Sequence, residues 1–380
     1  MMTKVVIVGG GPAGSAAAFT LLKQGFEVVL IDKSDFPRNK LCGGLLTQRS
    51  RRVYSEVFET DFERSYECEA TGAGVFQKAT LANELHHATQ WYLTRREHFD
   101  HHLLELAKAK GLRTVLNDRV VKVLSERNEV QLASGTVVAY DFLIGADGVN
   151  SVVAKHLFGR SFDKDRIGFA LEVELPKGGN FYHQVSIHFD VVNWGYGWIF
   201  PKTHSDTFGI VGRHALNPQM KAQFLAFHKD VYGTDYEGEI KGHYIPFGQF
   251  LKVPGAGNIL LSGDAAGLVD PVTGEGIAFA LESGAMAGEA VARSIADGRP
   301  ALSHYQKRYN KLAGELRIAA RLAKFLYPER FHQLFLRVLP KSKQLLDLHL
   351  KLMEERLTYA QFERTLWRLV LQKGWKLLWK

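Results

Sequence analysis

Three short clusters that mix glycine with carboxylate hold the chemistry of this sequence. The first is Gly9-Gly10-Gly11-Pro12-Ala13-Gly14, where Gly9, Gly11 and Gly14 fall at G-x-G-x-x-G spacing. Bare backbone at that spacing lets the chain approach a pyrophosphate closely, with a helix N-terminus facing the anion. Asp32 follows 18 residues after Gly14, where a carboxylate accepts both hydroxyls of a ribose. The second cluster is Asp147-Gly148. The third is Gly263-Asp264-Ala265-Ala266-Gly267 with Thr273-Gly274-Glu275-Gly276-Ile277 behind it. Two further groups stand beside them. Cys42, in Leu41-Cys42-Gly43-Gly44, is either a thiol brought to a ligand by bare backbone or an inert cysteine in a glycine turn. Arg96 opens an R-x-x-F-D pattern with Phe99 and Asp100 and can reach a phosphate. The fingerprint calls for a dinucleotide without separating FAD from NAD.

Each cluster needs an element to hold it. Lys4 to Val8 is an apolar, β-branched run and reads as a buried strand; Ser15 to Gln24 is Ala-rich and helical, stopping at Gly25; Glu27 to Asp32 is the second strand. Lys33 to Lys40 reads as a polar loop, 48–66 as helix, and 70–93 as less regular with possible strands. A helix runs from the Arg96 pattern to Lys110, then strands near Arg113–Leu116, Val120–Glu126 and Glu129–Ala133. Asp141 to Gly145 is another apolar strand delivering Asp147, and Asn258 to Ser262 another delivering Asp264, followed by a long helix to about Ala296. Strand ends of an open α/β sheet are where ligands bind. Between them the texture changes. Arg166–Leu175, Phe181–Asp190, Trp194–Phe200, Thr207–Arg213 and Glu239–Pro246 are aromatic-rich and partly alternating. They predict an antiparallel sheet with one covered face, interrupted by a helix capped by Asn217 with Pro218 at its first position and ending at Gly233.

The expected architecture is therefore α/β: a Rossmann-like dinucleotide domain from 1–70, 94–165 and 255–300, interleaved with an antiparallel-sheet substrate domain from 71–93 and 166–254. A helical segment, 301–380, follows. Hydrophobic content of 46% with 23% charged residues belongs to a soluble globular chain, and two cysteines, Cys42 and Cys68, make no disulfide framework. With no room for a signal peptide before the first strand and no apolar run of spanning length, the expected location is cytoplasmic. Neither a metal nor a nucleic acid is expected. The charge of +8 is uneven: residues 301–380 carry 17 Lys and Arg against 6 Asp and Glu. A basic segment so placed suits an anionic surface.

The three clusters together resemble the para-hydroxybenzoate hydroxylase-like flavoproteins over about residues 4–296. An NAD dehydrogenase has no use for the later two. That resemblance implies FAD, with Gly9, Gly11, Pro12, Ala13 and Gly14 at the pyrophosphate and Asp32, where this family more often has Glu, at the adenosine ribose. Lys33, Arg96, Val120, Asp147, Gly148 and Gly274 match cofactor-side positions. Asp264 matches the carboxylate on the ribityl chain, and Gly276 with Ile277 the backbone facing the flavin pyrimidine edge. Two more motifs resemble the geranylgeranyl reductase family. Lys40-Leu41-Cys42-Gly43-Gly44 is similar to its K-P-C-G-G segment beside the flavin, with Leu41 in place of the proline. Tyr196-Gly197-Trp198-Ile199-Phe200-Pro201 fits its Y-x-W-x-F-P substrate motif.

The activity implied is reduction of C=C bonds in an isoprenoid chain, with electrons from NADPH, NADH or ferredoxin. Cys42 and Tyr196 are placed near the reacting carbons, and Trp198, Phe200 and Pro201 along the substrate. A flavin monooxygenase is the first rival. A halogenase is the second, although its W-x-W-x-I-P has Tyr196 and Phe200 at the first Trp and the Ile positions. A non-catalytic, FAD-bearing membrane or partner-binding protein is the third. The C-terminal segment reads either as a lid or as an interfacial helix on anionic lipid. Leu345, Leu346, Leu348, Leu350, Leu352, Leu357, Phe362, Leu366, Trp367, Leu369, Val370, Trp375, Leu377, Leu378 and Trp379 are its apolar residues, with Lys376 and Lys380 among its basic ones.

Overall fold

A computed structural model of the chain describes residues 3–177, 184–328 and 342–377. Continuous apolar runs need cover on every side, and the parallel sheet supplies it. Its order is β16 (Gly255–Ala256), β17 (Ile259–Leu261), β10 (Phe142–Gly145), β1 (Val5–Val8), β2 (Val28–Ile31) and β6 (Arg113–Val115). All pairings are parallel except β16 with β17. Every residue of β1 is buried. Helices α1 (Pro12–Leu22), α2 (Gln48–Phe58), α3 (Arg96–Ala109), α6 (Ile277–Asp297) and α7 (Ala301–Leu326) share one apolar core with this sheet. Helix α6 crosses α1 on small residues: a Cβ on Gly284 would sit 2.1 Å from the Ala13 carbonyl oxygen. Parallel pairing aligns the C-terminal ends of β1, β2, β10 and β17, so Gly9, Asp32, Ala146 and Ser262 follow at one sheet edge. A three-stranded sheet, β7 (Val120–Leu124), β8 (Glu129–Leu132) and β9 (Val137–Ala139), stands beside it, and a short helix, α4 (Val152–Phe158), follows the second cluster.

The second sheet has eight strands: β15 (Lys241–Ile245), β11 (Gly168–Pro176), β14 (Ser205–Arg213), β13 (Gly195–Pro201), β12 (Val185–Phe189), β4 (Cys68–Gln77), β5 (Thr80–Leu93) and β3 (Leu45–Leu46). It is antiparallel except where β12 runs parallel to β4. The irregular 70–93 stretch is a long hairpin, β4 with β5, and Phe181 lies outside the described residues.

The second sheet and its helix depart from expectation in two respects. Both faces of this sheet are covered, which is why all seven residues of β13 are buried. Helix α5 (Met220–Tyr232) packs Phe224 and Phe227 against Phe208, Ile199 and Ile210 on one face. On the other, α8 (Lys343–Met353) sets Leu346 and Leu350 against Tyr196, Trp198 and Phe200. Asn217 does not cap α5. Its amide bridges loops instead, accepting from Asn193 N at 2.8 Å and donating to the Asn193 and Arg213 carbonyls at 2.8 Å each.

The basic C-terminal segment is helical, ending in α9 (Tyr359–Leu377). Leu348, Leu352, Tyr359 and Phe362 pack with Ala319 and Leu322 of α7. The leucines of α8 thus serve two protein surfaces and are not available to lipid. No helix among the described residues is long and apolar enough to cross a membrane. The positions 378–380, and the side chains of Val370, Trp375, Lys376 and Leu377, lie outside what is described.

Candidate functional site

One elongated cleft of about 660 Å³ runs from the glycine loop to the second sheet. Its first wall follows from backbone alone. Gly9 has φ +102° and lies so close to the end of β10 that a Cβ would meet the Ala146 carbonyl oxygen at 2.4 Å. That contact brings the first and second clusters together. Gly11 caps α1 without a side-chain bond, and a Cβ there would find only an Arg38 nitrogen, at 3.7 Å. The α1 N-terminus therefore opens on the cleft, which suits an anion. Asp32 Oδ2 accepts Gly10 N–H at 2.7 Å and Oδ1 accepts Ser34 N–H at 2.9 Å. A carboxylate has further lone pairs for ribose hydroxyls. The third cluster supplies the N-terminus of α6, also without a side-chain cap, beside Asp264.

Gly9, Gly11, Pro12, Ala13, Asp32, Lys33, Cys42, Gly43, Arg96, Val120, Asp147, Gly148, Asp264, Gly274, Gly276, Ile277, Tyr196, Trp198 and Phe200 all line this cleft. Gly14 and Pro201 do not. Gly14 packs helix on strand: a Cβ would lie 1.8 Å from the Gly9 carbonyl oxygen. Pro201 closes β13 as a buried residue, its carbonyl accepting from Cys68 Sγ at 3.6 Å. Asp147 lines the cleft. Its carboxylate turns back to α4, accepting from the Ser151 hydroxyl at 2.5 Å and Val152 N–H at 2.6 Å. Arg96 is held by Asp100 in a bidentate pair at 2.7 and 2.8 Å, and Arg38 reaches the same carboxylate at 3.2 Å. Arg38, beside Gly11, is thus a second cation at the phosphate end, hidden from sequence reading in a polar loop.

At the far end the cleft turns apolar, lined by Ala170, Tyr196, Trp198, Phe200, Val211, Ile245 and Met353. The Tyr196 hydroxyl donates to the Thr273 carbonyl, and burial pushes its pKa well above the usual range. A Cβ on Gly43 would press the Phe200 ring at 2.8 Å and lie 3.1 Å from Trp198 Nε1, so Gly43 lets the loop lie flat on the aromatic wall. Cys42 Sγ accepts Gly44 N–H at 3.4 Å, with the charge of Arg96 nearby.

Three titratable groups here were not expected at the site from the sequence. Glu172 accepts Cys42 N–H at 3.1 Å, and burial raises it to about 7. Glu275 accepts from the Thr47 hydroxyl, and burial raises it likewise to about 7. His243, pushed down to about 3 by burial and by Lys40, is neutral and accepts from Lys40 Nζ at 2.7 Å. Lys40 itself is lowered to about 8, chiefly by burial and then by Arg96. Glu172 alternates with apolar residues in a strand, which reads as a solvated face; the loop at 40–44 reaches it through Cys42 N–H.

A tight backbone loop, an acid at the ribose position, two helix N-termini and an apolar chamber in one cleft fit a flavin dinucleotide. Comparison with known proteins agrees. Residues 2–169 match the FAD binding domain family. An uncharacterized protein of Methanosarcina barkeri is 33% identical over 85% of this chain and 83% of its own length. The menaquinone reductase of Mycobacterium tuberculosis is 28% identical over 93% of this chain and 91% of its own. A digeranylgeranylglycerophospholipid reductase of Methanococcoides burtonii is 28% identical over 82% of each. Among solved structures, a geranylgeranyl bacteriochlorophyll reductase-like protein from Thermoplasma acidophilum superposes with a TM-score of 0.76 at 21% identity, covering 97% of this chain and 100% of its own.

Proposed function

The chain belongs to the geranylgeranyl reductase family of FAD-dependent oxidoreductases, and on that footing we propose that it reduces carbon–carbon double bonds in the polyprenyl chain of a lipid. The observation that carries this reading is the continuity of the cleft: its dinucleotide end opens directly on a chamber walled by Tyr196, Trp198, Phe200 and Met353. An alkene offers no polar handle, so its binding must come from buried chain, about 0.8 kcal/mol per CH₂. The relatives named for isoprenoid lipids support the same class of substrate.

In this reading residues 1–70, 94–165 and 255–300 form the cofactor domain, and 71–93 with 166–254 the substrate domain. Gly9, Gly11, Pro12, Ala13 and Arg38 hold the pyrophosphate and Asp32 the adenosine ribose. Asp264 holds the ribityl chain, and Gly276 with Ile277 the pyrimidine edge. Reduced FAD supplies hydride equivalents, refilled from NADPH, NADH or ferredoxin. The protein's share is to orient the chain, exclude water and place a proton. Tyr196 ties the aromatic wall to the Thr273–Gly274 turn, fixing substrate against cofactor. Cys42 lies between them, its sulfur oriented by Gly44 N–H.

The test is anaerobic. Photoreduced protein mixed with a dispersed polyprenyl alkene should regain the absorbance of oxidised flavin without air. Cys42→Ser should keep its flavin and lose most of that oxidation, whereas Cys68→Ser should behave as wild type. Oxidation that waits for O₂ would mark a monooxygenase.

Long prenyl chains reside in bilayers, and we read the exposed Phe325, Trp367 and Leu371 as the contact with lipid. Phe325 and Trp367 stack edge to face at 5.5 Å, near Arg321 and Arg368 on the same two helices. Binding to anionic vesicles should weaken with salt and with Trp367→Ser plus Leu371→Ser. Vesicles ignored by the wild type at low salt would remove this contact.

A further inference from the structure

Adding hydrogen across a double bond takes a hydride equivalent at one carbon and a proton at the other. The reduced flavin accounts for the first. The second needs an acid in a chamber whose walls are otherwise apolar. Most groups with an exchangeable proton along the cleft are committed. The Tyr196 O–H donates to the Thr273 carbonyl. Glu275 is engaged by Thr47 and sits beside Arg49 and Asp270. Lys40 is bound to His243. The Cys42 sulfur is engaged as an acceptor by Gly44 N–H.

Glu172 differs from all of these. Its Oε1 accepts the Cys42 N–H at 3.1 Å, while Oε2 is buried and has no partner among the described residues. A carboxyl whose one oxygen accepts an N–H carries its proton on the other. The cleft passes Glu172 together with Ala170, two residues away on the same strand face. Across the sheet Glu172 pairs with Gly209, and Gly209 pairs with Trp198, whose indole lies over the glycine. Trp198 Nε1, likewise buried and unpartnered among the described residues, borders the same space. We propose that Glu172 is the proton donor of the reduction, its Oε2–H delivering to the alkene carbon that does not receive hydride.

The step balances. The Oε2–H bond breaks as a C–H bond forms, the reduced flavin loses two electrons and one hydrogen, and Glu172 is left as a carboxylate that regains a proton from solvent through the cleft. The surroundings suit both states. Burial keeps the carboxyl protonated to about pH 7, with Glu174 on the same strand acting in that direction. Lys202 at the end of β13 and Lys40 in the loop act the other way and stabilise the anion once formed, although Lys202 is shared with Glu174 at 2.7 Å. Neutral His243 and the pairing position of Lys241, both on β15, complete the groups around it.

This assignment rests on the reductase reading, so its test separates the two. Glu172→Gln preserves an acceptor for Cys42 N–H and removes only the proton. In the oxidised holoenzyme, the infrared spectrum of the wild type minus that of Glu172→Gln should show a protonated carboxyl band that shifts in D₂O and titrates near pH 7. In anaerobic single turnover with flavin content matched, wild-type oxidation by a polyprenyl alkene should slow above pH 7. Glu172→Gln should be slower by about 10²–10⁴-fold and lose that inflection, while Glu172→Asp should be slowed but keep it. An ionised Glu172 at pH 6, or a Glu172→Gln enzyme as fast as wild type with the same pH profile, overturns the proposal and leaves the reductase reading standing. Wild type that no alkene oxidises defeats both.

Discussion

Gly14→Ala is expected to purify without flavin. The new Cβ would lie 1.8 Å from the Gly9 carbonyl oxygen, and that oxygen is backbone that cannot swing aside. Gly9 is itself wedged against Ala146, and α1 is pressed from behind by α6, where Gly284 meets the Ala13 carbonyl. Relief requires α1 to move away from β1, which takes the helix N-terminus off the pyrophosphate and opens the core shared by Ala16, Ala17 and Ile7. Overpacking of this kind costs at least about 1–3 kcal/mol, more where the obstacle is backbone. Gly314→Ala is the matching control. A Cβ there meets nothing within 4 Å, and the residue lies within α7, so that protein should be yellow and slightly more stable, by about 0.5–1 kcal/mol. The flavin-to-protein ratio after gel filtration reads both. Stoichiometric flavin in Gly14→Ala would mean that this glycine does not set the helix against the strand.

The second large effect belongs to the roof of the chamber. Leu346 and Leu350 of α8 are 4% and 3% exposed and face Tyr196, Trp198 and Phe200. Leu350→Asp would bury an unpaired carboxylate, which costs several kcal/mol and is relieved by lifting α8 from the sheet. Met353, one turn further along, leaves the cleft with it. The dinucleotide end is built from other elements, so FAD should remain bound at wild-type stoichiometry. The polyprenyl chain loses apolar cover worth three or four methylenes, and its apparent affinity should fall about 100-fold. Val253→Asp, at a residue 46% exposed, should alter neither property. Unchanged affinity in Leu350→Asp would show that the chain does not bind under α8.

These two predictions draw on different degrees of legibility in the sequence. The glycine loop was readable because strand, turn and helix follow one another within about thirty residues and each has its own local signal. The strand ends at Asp147 and Asp264 were readable for the same reason. The role of Asp147 was not. A carboxylate just before a short helix has two uses, and only the Ser151 and Val152 contacts show that capping wins. The spacing of Gly14 serves phosphate and packing equally, because a motif does not say which glycine meets ligand and which meets backbone. The second sheet was visible as strands, but its doubly covered state was not: Gly195 to Pro201 looks half-alternating until α5 and α8 are in place. The leucines of residues 345–352 have the composition of either an interfacial helix or a lid. Burial against Tyr196 and Trp198 decides for the lid. Glu172 was silent because a strand carboxylate is ordinarily solvated, and nothing local announces that residues 40–44 will reach it.

The central claim is that this cleft adds hydrogen to a double bond. The most direct measurement is the mass of the lipid product after turnover of the reduced holoenzyme, first without air and then under ¹⁸O₂. The account predicts a gain of two hydrogens for each double bond consumed, formed without air, with no ¹⁸O in the product when O₂ is present. A product formed only in air and carrying one ¹⁸O atom would contradict it and assign the cleft to oxygen transfer.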